Sequence, residues 1–151
     1  AFGYFGVALT FPSIVPTDLW GEYCNNQNSW GSNALMMDNF LKGRAAISNN
    51  VLTDRDAAIN TVKETWEKIS AKQAVDYLDE AMTNMSDRGL FFHALTKAHG
   101  FVYNLRYAPD DTRKLTQTEL NAILAKFSSF HSNCHLSVTS SSSVYLLVYF
   151  S

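Results

Sequence analysis

The chain has 151 residues, 46% of them hydrophobic and 17% charged, with a formal net charge of −2. That suffices for one sizeable buried core in a globular protein, while scattered Lys and Arg without a basic stripe exclude a nucleic-acid surface. The longest strongly apolar run, Val144 to Phe150, is far below the ~20 residues that span a bilayer as a helix.

In chain order, the first signal is a phrase that recurs. Ala1-Phe2-Gly3-Tyr4-Phe5 and Ala98-His99-Gly100-Phe101-Val102 share Ala, a ring, Gly and a second aromatic in the same order. This predicts two related helices of one duplicated bundle. No Met and no Ser, Thr, Asp or Asn cap precedes the first copy, so the chain is expected to be a fragment that opens in the last turns of a helix.

Residues 10–32 contain Pro12, Pro16, Gly21, Gly31, several Asn and the rings Phe11, Trp20, Tyr23 and Trp30, with neither helical nor strand periodicity. They read as one long loop, and a loop of this length inside a compact domain tends to be functional. Trp20, Tyr23 and Trp30 offer a stacking surface for a sugar or another flat ligand; the competing reading has them plug the end of the bundle.

From Asn33 to Ser48, Met36, Met37, Phe40, Leu41 and Ile47 recur at helical spacing. Gly43, Ala45 and Ala46 place small residues where another backbone can come close. Arg44 carries a five-donor fork suited to a carboxylate or anion, either as a binding residue or as a structural salt bridge. Asn49-Asn50 ends this helix.

The strongest helical pattern runs from Asp54 to Met85, with Ile59, Val62, Trp66, Ile69, Ala74, Val75, Leu78, Met82 and Met85 along one stripe. Lys63/Glu67, Glu64/Lys68 and Lys72/Asp76 form i,i+4 pairs on the other side. Thr53 and Asp56 read as a loose capping box, and Glu67, Asp76, Asp79 and Glu80 as a solvated acidic face. Ser86-Asp87 starts another helix that reaches Tyr107, and so short a connection predicts antiparallel neighbours. Pro109-Asp110-Asp111 is a turn. Leu115-Thr116-Gln117-Thr118-Glu119-Leu120 is a full capping box flanked by a hydrophobic staple, so a further helix begins at Thr116 and buries Leu120, Ile123, Leu124 and Phe127.

Residues 131–151 change character, joining a Ser/Thr run to the β-prone stretch Val144-Tyr145-Leu146-Leu147-Val148-Tyr149-Phe150. A change of reading frame and a genuine strand or hairpin both account for this atypical tail. The fold class expected is all-α: residues 1–130 form part of an antiparallel helical bundle, half of a duplicated one, followed by a non-helical tail.

Chemical motifs are sparse. H-E-x-x-H, G-x-S-x-G, the P-loop and C-x-x-C are all absent from the sequence, so no catalytic residue is assigned. Cys24 and Cys134 are compatible with a disulfide or with two free thiols, and leave the compartment open. His93 and His99 lie six apart on one helix, which turns them roughly 120° from each other and prevents chelation of one metal by that helix alone. His131, Cys134 and His135 lie in the atypical tail without an obvious fourth ligand. No metal site is assigned and the cofactor stays unknown.

From Ala1 to about Phe127 the order of motifs resembles a bacterial family called domain of unknown function 4856. The residues that carry the resemblance are Ala1-Phe2-Gly3-Tyr4-Phe5-Gly6, Asp18-Leu19-Trp20-Gly21-Glu22-Tyr23, Gly43-Arg44-Ala45-Ala46-Ile47 and the run from His93 to Leu105. The resemblance implies an all-helical protein of the bacterial cell envelope, periplasmic or at the surface and often a lipoprotein. It also implies kinship with imelysin-like proteins linked to iron or haem acquisition. The chain departs from the family pattern at Lys97, where Glu is usual, and a cation beside His93 disfavours binding a second cation.

The function expected is therefore binding of an unknown small ligand or surface partner, with Trp20, Tyr23, Arg44 and His93 as the candidate binding residues. The alternatives are a metal-dependent, peptidase-like hydrolase with its other ligands upstream of Ala1, and a purely structural helical module. Half of a duplicated bundle exposes an apolar face, so the isolated chain is expected to self-associate. Sedimentation velocity checks this, and a monodisperse monomer contradicts it.

Overall fold

Ridges of apolar side chains at three- and four-residue spacing fold into helices wherever they occur in this chain, and the fold is all-α. The computed structural model describes residues 2–14, 16 and 19–132. Among them are six α-helices and two short 3-10 turns, with no strand. The helices are α1 (Phe2–Phe5), α2 (Leu19–Asn26), α3 (Ser32–Ser48), α4 (Leu52–Thr83), α5 (Arg88–Asn104) and α6 (Gln117–Ser132). The 3-10 turns Asn28–Trp30 and Leu105–Tyr107 lie after α2 and α5.

The chain divides into two compact units, residues 1–69 and 70–151, with the boundary inside α4. Unit 1 has a core of Phe5, Phe11, Cys24, Met36, Met37 and Ile69, flanked by partly buried rings. Phe5 is its centre: it is fully buried, and its ring meets Phe11 at 6.1 Å, Phe40 at 5.5 Å and Trp66 at 5.2 Å between centroids. These tilted and edge-on contacts suit the ring quadrupoles. A helix of only four residues cannot sustain itself in water, so the burial of Phe5 is what holds α1 in place.

Unit 2 is built on the α4–α5 hairpin and α6. Lys97 Nζ reaches Tyr77 Oη at 3.4 Å, and Asn104 Nδ2 reaches Ser70 Oγ at 3.5 Å. Seven residues forward along α4 thus match seven residues back along α5, the register of antiparallel helices. Ala71, Ala74 and Ala81 of α4 and Ala94 and Ala98 of α5 are buried in the shared core. Leu105, Leu115, Leu120 and Phe127 complete that core.

The helix starts follow local chemistry. The Asp87 side chain accepts from the N–H groups of Gly89 (2.9 Å) and Leu90 (3.1 Å), satisfying two donors that open α5 without an intrahelical partner. At α6 the capping box forms as the sequence predicts. Thr116 Oγ1 accepts from the Glu119 N–H at 3.2 Å, the Glu119 carboxylate accepts from the Thr116 N–H at 2.8 Å, and Leu115 and Leu120 are both buried beside it. Asn50, at φ +55°, stops the chain from continuing α3.

Three expectations are corrected. Residues 10–32 are not one loop, since α2 and a 3-10 turn occupy Leu19–Asn26 and Asn28–Trp30. The Thr53/Asp56 box does not cap α4, which already starts at Leu52. That helix is not amphipathic throughout: Thr65, Glu67, Ile69, Ser70, Ala71, Gln73, Ala74 and Val75 are all buried, so its middle is enclosed and Glu67 is not on a solvated face. α6 runs to Ser132, and the rest of the atypical tail lies outside the described residues.

The two copies of the recurring phrase share two features and differ in a third, since Tyr4 is exposed where Phe101 packs on the unit 2 core. Phe2–Phe5 and Ala98–Val102 are helical, with the fifth position buried (Phe5 and Val102, both 0% exposed) and the central glycine in open space (Gly3 and Gly100). Gly100 sits inside α5 with nothing within 4 Å of where a Cβ would stand. Gly100→Ala should therefore stabilise the protein by about 0.5–1 kcal/mol. At Gly21 a Cβ would overlap the Val7 side chain and stand 2.9 Å from Pro16 Cβ, so Gly21→Ala should destabilise. Chemical denaturation of the two variants checks both signs.

Candidate functional site

The aromatic residues singled out in the sequence converge in unit 1. Trp20 and Tyr23 lie one turn apart on α2, which puts them on the same face, and their rings meet at 5.9 Å and 69°. Trp20 also packs edge-on against Trp66 of α4 at 5.3 Å. Trp30, from the 3-10 turn, carries the Lys68 ammonium 4.5 Å above its ring centroid, a cation–π distance. All four rings are partly buried against the unit 1 core, each leaving part of its surface to solvent. All three tryptophans of the chain thus pack against the core of unit 1.

Below the rings lies a polar seam made by the Asn-rich turn. The Ser32 hydroxyl donates to the Cys24 carbonyl at 2.7 Å, Asn33 Nδ2 donates to Asn25 Oδ1 at 2.8 Å, and Asn28 Oδ1 accepts from the Asn33 N–H at 3.2 Å. The seam ties α2 to the start of α3 and sets where Trp30 projects. Two polar atoms of opposite sense remain buried without a hydrogen-bond partner: the indole Nε1 of Trp30, a donor, and Oδ1 of Asn33, an acceptor. Chemically the rings offer partly exposed flat apolar faces, with the Lys68 ammonium over one of them.

The other candidates lie elsewhere. Arg44 is exposed on α3 and makes no ion pair among the described residues, so the salt bridge expected of it does not form there. His93 belongs to unit 2 and is exposed on α5, while Lys97, one turn on, turns onto the Tyr77 ring at 4.9 Å. His99 packs against Phe127 at 5.3 Å and Tyr103 at 6.2 Å. Among the described residues no group of three or more His, Cys, Asp or Glu is arranged to hold a metal ion. His131, Cys134 and His135 fall where no side chain is described.

Two members of the aromatic corner were not singled out by sequence reasoning. Trp66 is one more apolar position of the α4 stripe, with no local mark to distinguish it. Lys68 reads as the partner of Glu64 one turn earlier, yet it has no ion pair among the described residues and rests on Trp30 instead.

A family model for a domain of unknown function, DUF4856, matches residues 1–134. The chain belongs to the DUF4856 family. The match spans both units and every described helix, so the aromatic corner and the α5 histidines all lie within the DUF4856 domain. Neither the curated proteins nor the solved structures provide a match.

Cys24, a free thiol beneath the corner, is fully buried, and burial pushes its pKa from 9.0 up to about 11 against a smaller opposing effect of the Ser32 hydroxyl. The folded state therefore holds this proton more tightly than the unfolded one. The contribution to stability is complete below pH 9 and is lost as pH rises towards about 11. Two pKa units mean about a hundredfold less thiolate at pH 8 than in an ordinary cysteine. In a Cys134→Ser variant, Cys24 should react with a disulfide reagent at least that much more slowly than in denaturant, as absorbance kinetics will show.

Proposed function

We propose that this DUF4856 protein is a non-catalytic binding protein and that it takes a flat ligand on the aromatic corner of unit 1. The observation that carries this reading is the gathering of Trp20, Tyr23, Trp30 and Trp66, all partly solvent-facing, around a core that Phe5, Phe11 and Met36 already fill. A core plug needs rings that are buried. These keep part of their faces in water, where each costs free energy that contact with a ligand recovers.

Trp20 and Tyr23 are the principal contacts in this reading. Arg44, exposed in the same unit, is kept as a secondary contact, and His93, exposed in unit 2, as a separate contact for a surface partner. The resemblance to imelysin-like proteins supports placing the protein in the bacterial cell envelope, in the periplasm or at the surface, and linking its ligand to iron or haem acquisition. A second reading, a structural module, draws support from the edge-on packing of Trp66 against both Phe5 and Trp20.

Titration with haemin, followed by indole emission, separates the two. Binding at the corner predicts saturable quenching and an affinity at least tenfold weaker in Trp20→Phe, a change that keeps an edge-packing ring. Equal affinity in the two proteins moves the ligand off the corner. Absence of quenching in both favours the structural module.

A further inference from the structure

α5 and the 3-10 turn that continues it carry Arg88, His93, Lys97, His99 and Arg106 but no Asp or Glu from Arg88 to Tyr107, in a chain whose net charge is −2. Each of the three permanent cations rests on a ring: Arg88 on Phe92 at 6.0 Å, Lys97 on Tyr77 at 4.9 Å and Arg106 on Tyr103 at 5.3 Å from the centroid. None of the three has an ion pair among the described residues. Asp87 and Asp110, which flank this stretch, are already used, the first as the cap of α5 and the second as the partner of Arg113. Phe92, Thr96, Gly100, Tyr103 and Tyr107 follow one another at steps of three or four residues and are all exposed, which makes one solvent-facing stripe. Tyr107 is 71% exposed and Tyr103 41%; their rings stand 5.9 Å apart, and His99 stacks 6.2 Å from Tyr103.

We propose that this face of α5 is a docking surface for an acidic protein segment, anchored at Tyr103, Arg106 and Tyr107. Charge complementarity sets the class of partner: contact with a ring leaves the N–H donors of a guanidinium without an acceptor, and a carboxylate takes two of them at once. Exposed tyrosines beside an arginine are the composition in which interfaces concentrate their binding energy. The layout sets the partner's shape. Phe92 to Tyr107 spans about 22 Å, the reach of about seven extended residues, and Thr96 and Gly100 leave the middle of the stripe low, with nothing within 4 Å of where a Cβ would stand at Gly100. An anionic membrane fits less well, because the chain as a whole is negative and attraction is confined to this strip. A second copy docked α5 to α5 brings the same cations together. The surface lies within unit 2 and is independent of the aromatic corner of unit 1; His93, exposed on the same helix, extends it.

Dye-labelled peptides of about seven residues that alternate Glu with Tyr, or Gln with Tyr, are matched in shape and differ in charge, and fluorescence anisotropy reads their affinities. The Glu peptide should bind at least about fivefold more tightly than the Gln peptide at low salt and should shift the ring resonances of Tyr103 and Tyr107. Arg106→Gln should abolish the preference, Tyr107→Ser should weaken binding of both peptides, and Arg55→Gln, which removes a cation from unit 1, should change neither. Equal binding of the two peptides overturns the proposal. So does a preference that survives in Arg106→Gln, or one that falls as far in Arg55→Gln, which reports net charge alone. Tyr107 is exposed enough for its replacement to leave the fold intact, so unchanged affinity in Tyr107→Ser overturns the proposal even where Arg106→Gln perturbs folding. Phosphatidylglycerol vesicles that shift tyrosine resonances the Glu peptide leaves unmoved assign the face to a membrane, and a dimer that Tyr107→Ser converts to a monomer in sedimentation assigns it to a second copy; either result overturns the acidic segment.

Discussion

The enclosure of one long helix is the constraint on which the rest of this structure depends. α4 runs unbroken for 32 residues, about 48 Å, and supplies core side chains first to one hydrophobic cluster and then to the other. Val62, Trp66 and Ile69 serve the unit 1 cluster, and Ala71, Ala74, Val75, Leu78 and Ala81 the unit 2 cluster. An isolated helix gains little from propensity alone, so packing on its flanks is what keeps it continuous. The same enclosure explains why polar residues such as Thr65 and Gln73 are buried along it: a helix packed on more than one side has no face left on which to place them all in water.

In unit 1, a large share of the packing is aromatic. Phe5, Phe11, Phe40 and Trp66 meet at angles between 55° and 76°, and the partly exposed Trp20, Tyr23 and Trp30 surround them. Rings are stiff and large, so a few of them fix the positions of short elements such as α1 and α2. The core of unit 2 is instead made largely of alanines and aliphatic side chains. The site proposed for a flat ligand accordingly lies in the first unit.

Much of the fold was legible in the sequence because its signals are local. The Thr116/Glu119 box, the Asp87 cap and the Asn49-Asn50 stop are each determined by a few neighbouring residues. α2 was missed because its buried face consists of Gly21 and Cys24, which add almost nothing to an apolar period, and because its stability comes from contacts to Val7, Pro16 and Ser32 rather than from propensity. Glu67 was misplaced because periodicity reports one buried face and cannot report two. For the candidate site, Trp20 and Tyr23 stood out by residue type alone. Trp66 and Lys68 could not, since they join the corner from more than thirty residues away, through a packing that no local pattern encodes.

Placing every indole of the chain in unit 1 also decides what can be learned about folding. Emission follows the melting of unit 1 alone, whereas helical ellipticity averages both units and the whole of α4. If the shared helix transmits cooperativity, the two denaturation curves superimpose; if each unit melts independently, they separate. The chain thus carries a built-in test of whether one continuous helix makes two cores behave as a single folding unit.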